Sequence, residues 1–489
     1  LLQTLVSLIP TIITIFVAYK SRKVWLALLC GVVSGGLLYG RGTGIFLTTG
    51  RYLASGFTDP ERLKITFFVL MVAGMLHVMA RTGANLKFGL TVGKRLPGPR
   101  TARLTAVGVS SLLFFDDYAN VLIAGASMRP VMERHRISPA MLAYFTDVMA
   151  ALASVVLIST WAAFEVSLIG GALKEAGSGM SGMEVFISAV PYHIFTFFNI
   201  FLVLLAAFSG RWFSIRKREH HRVVKTEGPG DRARRRDMVI PITALVGVSF
   251  FGMTGLGWLH LSAGTPFSLM AVFGAAPVID ALNLGAVTAV ILLAVLMLKD
   301  NVMSWKEFSG SFSEGVKAMW PTGLVIILAR GLEMTAGDLE TGRHMAGLFS
   351  GLMQPGFLPA VIFVIAALVT VASGFSWSSM ALIMPIAVQM ALPAGEDVLF
   401  GAVAATISGA ICGAQMIPYS DKSVMTAAAC GITPLYHVKT QSPQIFIASL
   451  TALAGFLALG SGVPLALVVP AGFFILLSLH FFFARPFSA

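Results

Sequence analysis

The chain has 489 residues, 56% hydrophobic and only 12% charged, against about 25% charged in ordinary soluble domains. Such a chain cannot cover a water-facing surface, which excludes a soluble enzyme, a secreted disulfide scaffold, a disordered protein and a coiled coil, and leaves a polytopic membrane protein. The net charge of +12 does not mark a nucleic-acid binder. Segment 211–237 carries ten Lys/Arg and four acids, and segment 81–103 carries six basic residues and no acid, so two loops account for the whole excess in the positive-inside manner of cytoplasmic loops.

A spanning helix needs about 20 mostly apolar residues. In chain order the candidate spans are 1–19, 24–40, 64–80, 138–160, 185–208, 238–257, 282–298, 313–332, 398–417, 443–460 and 463–484, about 11 in all. Stretch 45–57 is short and reads as an interfacial segment. The first stretch lacks a charged n-region and a cleavage site, so it reads as a span rather than a signal peptide. Cys30, Cys412 and Cys430 lie in apolar runs without metal spacing and read as buried small hydrophobes.

Stretches 104–128 and 357–392 are apolar but interrupted by polar clusters. Basic segments 81–103 and 129–136 flank the first, so it enters from the cytoplasm, turns and returns; acidic segments 333–343 and 393–397 flank the second, so it enters from outside. The expected fold is therefore all-α, with about 11 transmembrane helices plus two re-entrant hairpins in an inverted repeat. The organisation reads as N-terminal helices in 1–63, a first repeat in 64–208 with hairpin 104–128, and the basic cytoplasmic loop 211–237. Linking helices in 238–298 follow, then a second repeat in 313–430 with hairpin 357–392, and C-terminal helices in 443–484. An offset of 260 sets FFDDYANVLI (114–123) against GFSWSSMALI (374–383) and ISTWAAF (158–164) against PYSDKSV (418–424). Inverted repeats place a substrate site near the midplane, where discontinuous helices meet.

Three polar clusters carry the chemistry. FFDDYAN puts Asp116, Asp117 and Asn120 inside hydrocarbon, where a central Asp costs roughly 2.5–3.5 kcal/mol. Paired carboxylates with an amide carbonyl and freed backbone oxygens suit a small hard cation or a shared proton. SGFSWSSM offers Ser376, Ser378 and Ser379, either for coordination or for close helix packing. IPYSDKS offers Ser420, Asp421 and Lys422 after a helix-breaking Pro418, opposite Thr160 of the first repeat. Asp421 joins Asp116, Asp117 and Asn120 as candidate cation ligands, and the Lys422 ammonium either compensates a carboxylate or stands in for a metal cation. Asp147 lies inside the helix that follows the first hairpin and is a further candidate for coupling. Glu165, His193, Asp280, Lys317 and Arg330 are the remaining ionisable residues in apolar stretches; Asp280 and Arg330 sit near span ends, where snorkelling is enough. Trp161, Trp320 and Trp377 read as packing residues.

Segments 114–165, 190–195, 373–388, 408–427 and 437–444 together resemble the NhaC-type Na⁺/H⁺ antiporters. The resemblance implies a secondary transporter with no enzymatic step and no cofactor, in the inner (plasma) membrane of a bacterium. Family members include sodium/proton antiporters, malate/lactate exchangers and amino-acid transporters. Carried over residue by residue, it points to Asp116, Asp117, Asn120, Asp147, Ser376, Trp377 and Asp421. The chain departs from the family pattern at GAQMIPYS before Asp421, at Lys422 where Thr is usual, and at GFSWSSM. The expected function is Na⁺/H⁺ antiport through intramembrane carboxylates, with cation-coupled transport or exchange of small organic anions or amino acids as the alternative. The expected partners are the transported cation or solute and the lipid bilayer, with no nucleic acid; a homodimer stays open.

Overall fold

The computed structural model describes residues 2–486 except 22–23, 41–43, 85–86, 89–90, 92–95, 214–233, 262–271, 273–275, 341–353, 374–375 and 419. Helices dominate the described residues. Four N-terminal helices, α1 (Leu2–Ser21), α2 (Val24–Tyr39), α3 (Gly44–Thr58) and α4 (Pro60–Thr82), precede the first polar unit. That unit comprises α5 (Pro99–Leu112), the continuous helix α6 over 117–134, α7 (Pro139–Met149) with its 3₁₀ extension Ala150–Ser154, and α8 (Thr160–Glu175). Then come α9 (Gly182–Ala189), α10 (Ile194–Ser209), α11 (Arg236–His260), α12 (Val278–Lys299) and α13 (Trp305–Asp338). The second polar unit is α14 (Leu358–Ser373), α15 (Ser376–Ala391), α16 (Glu396–Gln415) and α17 (Asp421–Cys430), followed by α18 (Pro434–Gly460) and α19 (Leu465–Phe483). One two-residue antiparallel pairing, Arg211–Trp212 with Arg485–Pro486, ties the foot of α10 to the C-terminal end.

Seven described helices are long and apolar enough to cross a membrane, or up to eight if the α9–α10 pair, bent by 49°, is one span. The outer surface is fitted to lipid rather than water: Phe46, Leu47, Leu259, Phe474 and Phe482 are all more than two-thirds exposed. Several expected boundaries move. Span 138–160 is not one helix, because α7 tightens into a 3₁₀ turn and breaks before α8 begins at Thr160. The acidic segment 333–343 is helical as far as Asp338, and the helix expected at 443–460 begins at Pro434 with Pro443 inside it. Stretch 45–57 lies within α3, whose Gly56 is so close to α13 that an added Cβ would sit 2.0 Å from the Ile327 carbonyl oxygen.

The helix breaks have local causes. Ser159 Oγ donates to Ala153 O (2.5 Å) and accepts from Ala162 N (2.8 Å), capping α8 while closing the turn before it. Ser420 Oγ donates to Ala414 O (2.9 Å) and accepts from Ser423 N (3.1 Å), doing the same for α17. All three atoms correspond at an offset of 261, not the 260 read from sequence, so Thr160 stands opposite Asp421 and Trp161 opposite Lys422. The one-residue correction reflects a polar cap whose spacing low identity hides. At the same offset Leu112, the end of α5, meets Ser373, the end of α14. The packing is exchanged between the units: α8 packs against α15, and α17 against α6 and α7. Phe164 stacks on Trp377 with centroids 4.5 Å apart, and Trp161 meets the same ring edge-on at 6.0 Å. Helix α5, at 14 residues, is about 21 Å long, short of a hydrocarbon core of roughly 30 Å.

Candidate ion site

The buried polar centre forms where the breaks of the two units meet. Its hub is Asp147, fully buried two residues before α7 ends. Lys422, the second residue of α17, brings its Nζ to 3.1 Å from Asp147 Oδ1 and donates to the Asp147 backbone oxygen at 3.2 Å. The second carboxylate oxygen faces α18: Gln441 Nε2 donates to Oδ2 at 2.7 Å, and His437 Nε2 lies 3.2 Å from the same atom. His437 and Gln441 are one helical turn apart, so both reach a single target. Gln441 Nε2 also donates to Gln415 O (2.8 Å), Gln415 Nε2 donates to Asp147 O (3.3 Å), and Asn199 Nδ2 donates to Gln415 Oε1 (2.8 Å). The network thus joins α7, α10, α16, α17 and α18 around one aspartate, through both its carboxylate and its backbone oxygen.

Asp116 and Asp117 lie at the start of α6. The Asp116 carboxylate accepts from Thr160 Oγ1 at 2.9 Å, and Thr160 N donates to Phe115 O at 2.8 Å, so this segment ties the start of α6 to the start of α8. Asp117 is 3% exposed, its Oδ1 has no hydrogen-bond partner among the described residues, and Lys422 acts on it electrostatically. Asn120 spends its amide Nδ2 on Ser110 O (2.7 Å), where α5 loses its last helical partners, while its Oδ1 stays buried and unpaired among the described residues.

The candidate residues separate accordingly. Asp147 and Lys422 form one ion-paired contact, and Asp116 with Thr160 forms a second. Ser376, Ser378 and Ser379 are buried in the first turn of α15, and Ser420 serves as a cap. Asp421 begins α17, but its side chain lies outside the described residues. Among the described residues, no group of three or more His, Cys, Asp and Glu side chains has metal-holding geometry. Asn199, Gln415, His437 and Gln441 escaped the reading of the sequence. The signal was present in HVKTQSPQ (437–444), whose His and Gln share a helix face in an apolar chain.

Two residues assigned to snorkelling also carry ion pairs. Asp280 accepts Lys64 at 2.7 Å, and Arg330 lies 3.4 Å from Asp59 and 3.6 Å from Glu175. The three cysteines are free, and Cys30 is only half-buried. Most of the basic segment 211–237 lies outside the described residues.

The profile of the Na⁺/H⁺ antiporter family matches residues 152–461, from the break after α7 to the end of α18. The chain belongs to the Na⁺/H⁺ antiporter family. An uncharacterized protein of Haemophilus influenzae is 27% identical over 469 residues, 93% of this chain and 90% of that protein. The solved YdaH transporter of Alcanivorax borkumensis matches with a TM-score of 0.59 at 16% identity, covering 87% of this chain and 90% of the other. Neisseria gonorrhoeae MtrF, from a class described as antimetabolite efflux pumps, matches with a TM-score of 0.54 at 14% identity, covering 85% and 84%. At these identities the two structures establish a shared transporter fold. The protein is a multi-pass helical membrane transporter of the antiport class.

Proposed function

We propose that the protein is a Na⁺/H⁺ antiporter of the bacterial inner membrane, in which the buried Asp147 carboxylate is the exchange group and the Lys422 ammonium is its internal counter-cation. The supporting observation is the Lys422–Asp147 pair, 3.1 Å apart and almost wholly withdrawn from solvent. A buried carboxylate needs a positive partner. Here that partner is tethered, on the first turn of a short helix that follows a break, and so can be displaced.

The exchange balances in charge. With Lys422 protonated, Asp147 is neutralised by the ammonium. When Lys422 gives its proton to water on one side, the Asp147 oxygens and the backbone oxygens beside them become available to a sodium ion. Return of the proton to Lys422 restores the ammonium and expels the metal. One positive charge leaves this site for each that arrives. His437 and Gln441 hold the other carboxylate oxygen in place throughout. Asp117 supplies a second negative charge within reach of the same ammonium, and Asp116, Asn120, Thr160 and the caps Ser159 and Ser420 fix the ends of the broken helices. Units 99–175 and 358–430 act as the inverted repeats, with α5–α6 and α14–α15 as the two hairpins that rock about this centre.

Vesicles containing the purified protein test the reading: an imposed sodium gradient drives proton movement in the opposite direction, and Asp147→Asn abolishes it. A second reading, exchange of small organic anions or amino acids, is supported by the same ammonium, which can hold a cargo carboxylate in place of Asp147. Uptake of labelled carboxylates that needs no sodium distinguishes it.

A further inference from the structure

The α9–α10 pair bends by 49° at His193, and a strip of buried polar groups runs from that bend toward the exchange centre. His193 is fully buried, and neither ring nitrogen has a hydrogen-bond partner among the described residues. Thr196 and Asn199 follow at steps of three, which sets the three side chains in one row along α10. Both are buried, and Thr196 Oγ1 and Asn199 Oδ1 also lack a partner among the described residues. The row ends on the centre, because Asn199 Nδ2 donates to Gln415 Oε1.

Two neighbouring helices continue the strip. On α16 the buried Ser408 lies seven residues before Gln415, on the same face and about 10 Å along the helix. On α18 the buried Gln444 follows Gln441 by one turn. Ser408 Oγ and both amide atoms of Gln444 are again unpartnered among the described residues. Helices α10, α16 and α18 pack against one another and lead from the centre toward the same end. There Tyr192 donates to Asp397 at the start of α16 (2.6 Å), and an added Cβ at Gly455 of α18 would sit 2.8 Å from Ile194 Cδ1.

Buried polar atoms pair with protein or with ordered water, and a polar strip without protein partners calls for water. An imidazole, accepting at one nitrogen while donating at the other, is suited to pass a proton along it. The other ionisable groups around α10 stand at its ends or are already bonded. Glu184 of α9 and Glu396 and Asp397 of α16 are exposed, as is Lys439 of α18. Arg100 and Arg103 of α5 lie at Phe208 and Ala207, and Tyr144 of α7 meets Trp212. Cys412 is bonded with Ser449, and His480 of α19 with Ser209. Asp147 and His437 belong to the centre itself.

We infer that α10, α16 and α18 enclose a file of ordered water between the bend at His193 and the Asp147 network, and that His193 passes protons between this file and the surface at the start of α16. The proton leaves the Lys422 ammonium for the adjacent water and hydrogen bonds shift along the file. His193 then takes a proton at one ring nitrogen and releases the other nitrogen's proton to solvent. The proton role rests on the Asp147 reading; the water does not.

The test uses the purified full chain in nanodiscs. X-ray radiolysis makes hydroxyl radicals from bound water in place, and so marks side chains beside it. Thr196→Cys and Ser408→Cys put reporter thiols in the strip. Thr406→Cys is the dry reference, because Thr406 is fully buried on another face of α16, with Oγ1 bonded back to Ala402 O at 2.8 Å. Thiol oxidation in the two strip variants is expected to be roughly tenfold faster than in the reference. In vesicles, His193→Gln is expected to lower sodium-driven proton flux roughly tenfold at saturating sodium while half-saturating sodium stays unchanged, and added imidazole restores flux to His193→Ala. Equal oxidation of the three thiols overturns the water file. Wild-type flux in His193→Gln, or flux in His193→Ala that imidazole leaves unchanged, overturns the proton role. Absence of sodium-driven flux in the wild type overturns the Asp147 reading and the proton role with it, while the oxidation rates still decide the water file.

Discussion

Replacing Lys422 by Thr removes the cationic contact to Asp147 Oδ1 while leaving the carboxylate held by Gln441 and His437 on its other oxygen. Removing one partner of a buried ion pair costs about 3–5 kcal/mol, because the remaining charge stays desolvated. A sodium ion placed some 4 Å from the ammonium would be repelled by about 4 kcal/mol at an effective dielectric of 20, roughly a thousandfold in affinity, so the wild-type pair and sodium exclude each other. In Lys422→Thr that repulsion is gone, and a cation can restore the lost charge. At a sodium concentration 100 times its dissociation constant the variant regains about 2.7 kcal/mol. The assay is thermal denaturation of the detergent-purified protein in sodium and in choline chloride at equal ionic strength, well above neutral pH and again at acid pH. The variant melts below wild type in choline, and sodium raises its midpoint by several degrees more than it raises that of wild type. Equal responses of the two proteins to sodium would refute the displacement argument.

Other outcomes follow from the same contacts. Pairing Asp147→Asn with Lys422→Met removes both charges and should recover most of the stability that Lys422→Thr loses, measured by the same melts. Thr160→Val takes a donor from Asp116 and should cost about 1.5–3 kcal/mol, read as a lower melting point, while leaving the direction of coupling unchanged. Ser420→Ala deletes the α17 cap and should cost about 1 kcal/mol, with Ser420→Thr or Asp restoring it. The protonated Lys422 and sodium compete for one carboxylate, so half-saturating sodium should rise as pH falls; a sodium affinity independent of pH would contradict competition. Gly56→Ala should lower stability by about 1–3 kcal/mol, since its Cβ would meet the Ile327 carbonyl at 2.0 Å and force α3 away from α13.

The sequence disclosed the class of the molecule through hydropathy, because lipid burial demands long apolar runs. It also disclosed both polar interruptions, since Asp116, Asp117 and Lys422 stand out against hydrocarbon. It misplaced the break after α7. The residues there, AALASVVLIS, are as apolar as a continuous helix, and only Ser159 folding back onto Ala153 ends it. The matching caps Ser159 and Ser420 are 261 residues apart, one more than the offset read from side-chain similarity, because the matching atoms are two cap hydroxyls rather than similar side chains. The hub itself was partly legible. Asp147 was singled out for its burial, yet His437, Gln441, Gln415 and Asn199 carry no charge that hydropathy would flag, and they converge only in three dimensions. Arg330 and Asp280 read as snorkelling ends because their partners, Asp59, Glu175 and Lys64, are distant in sequence.

The most direct measurement is sodium-gradient-driven proton flux in vesicles reconstituted with wild type or Asp147→Asn. Wild type should acidify or alkalinise the lumen according to the direction of the sodium gradient, and the variant should show no such response although it still folds and inserts. Undiminished sodium-driven flux in Asp147→Asn would contradict the assignment of Asp147 as the exchange group.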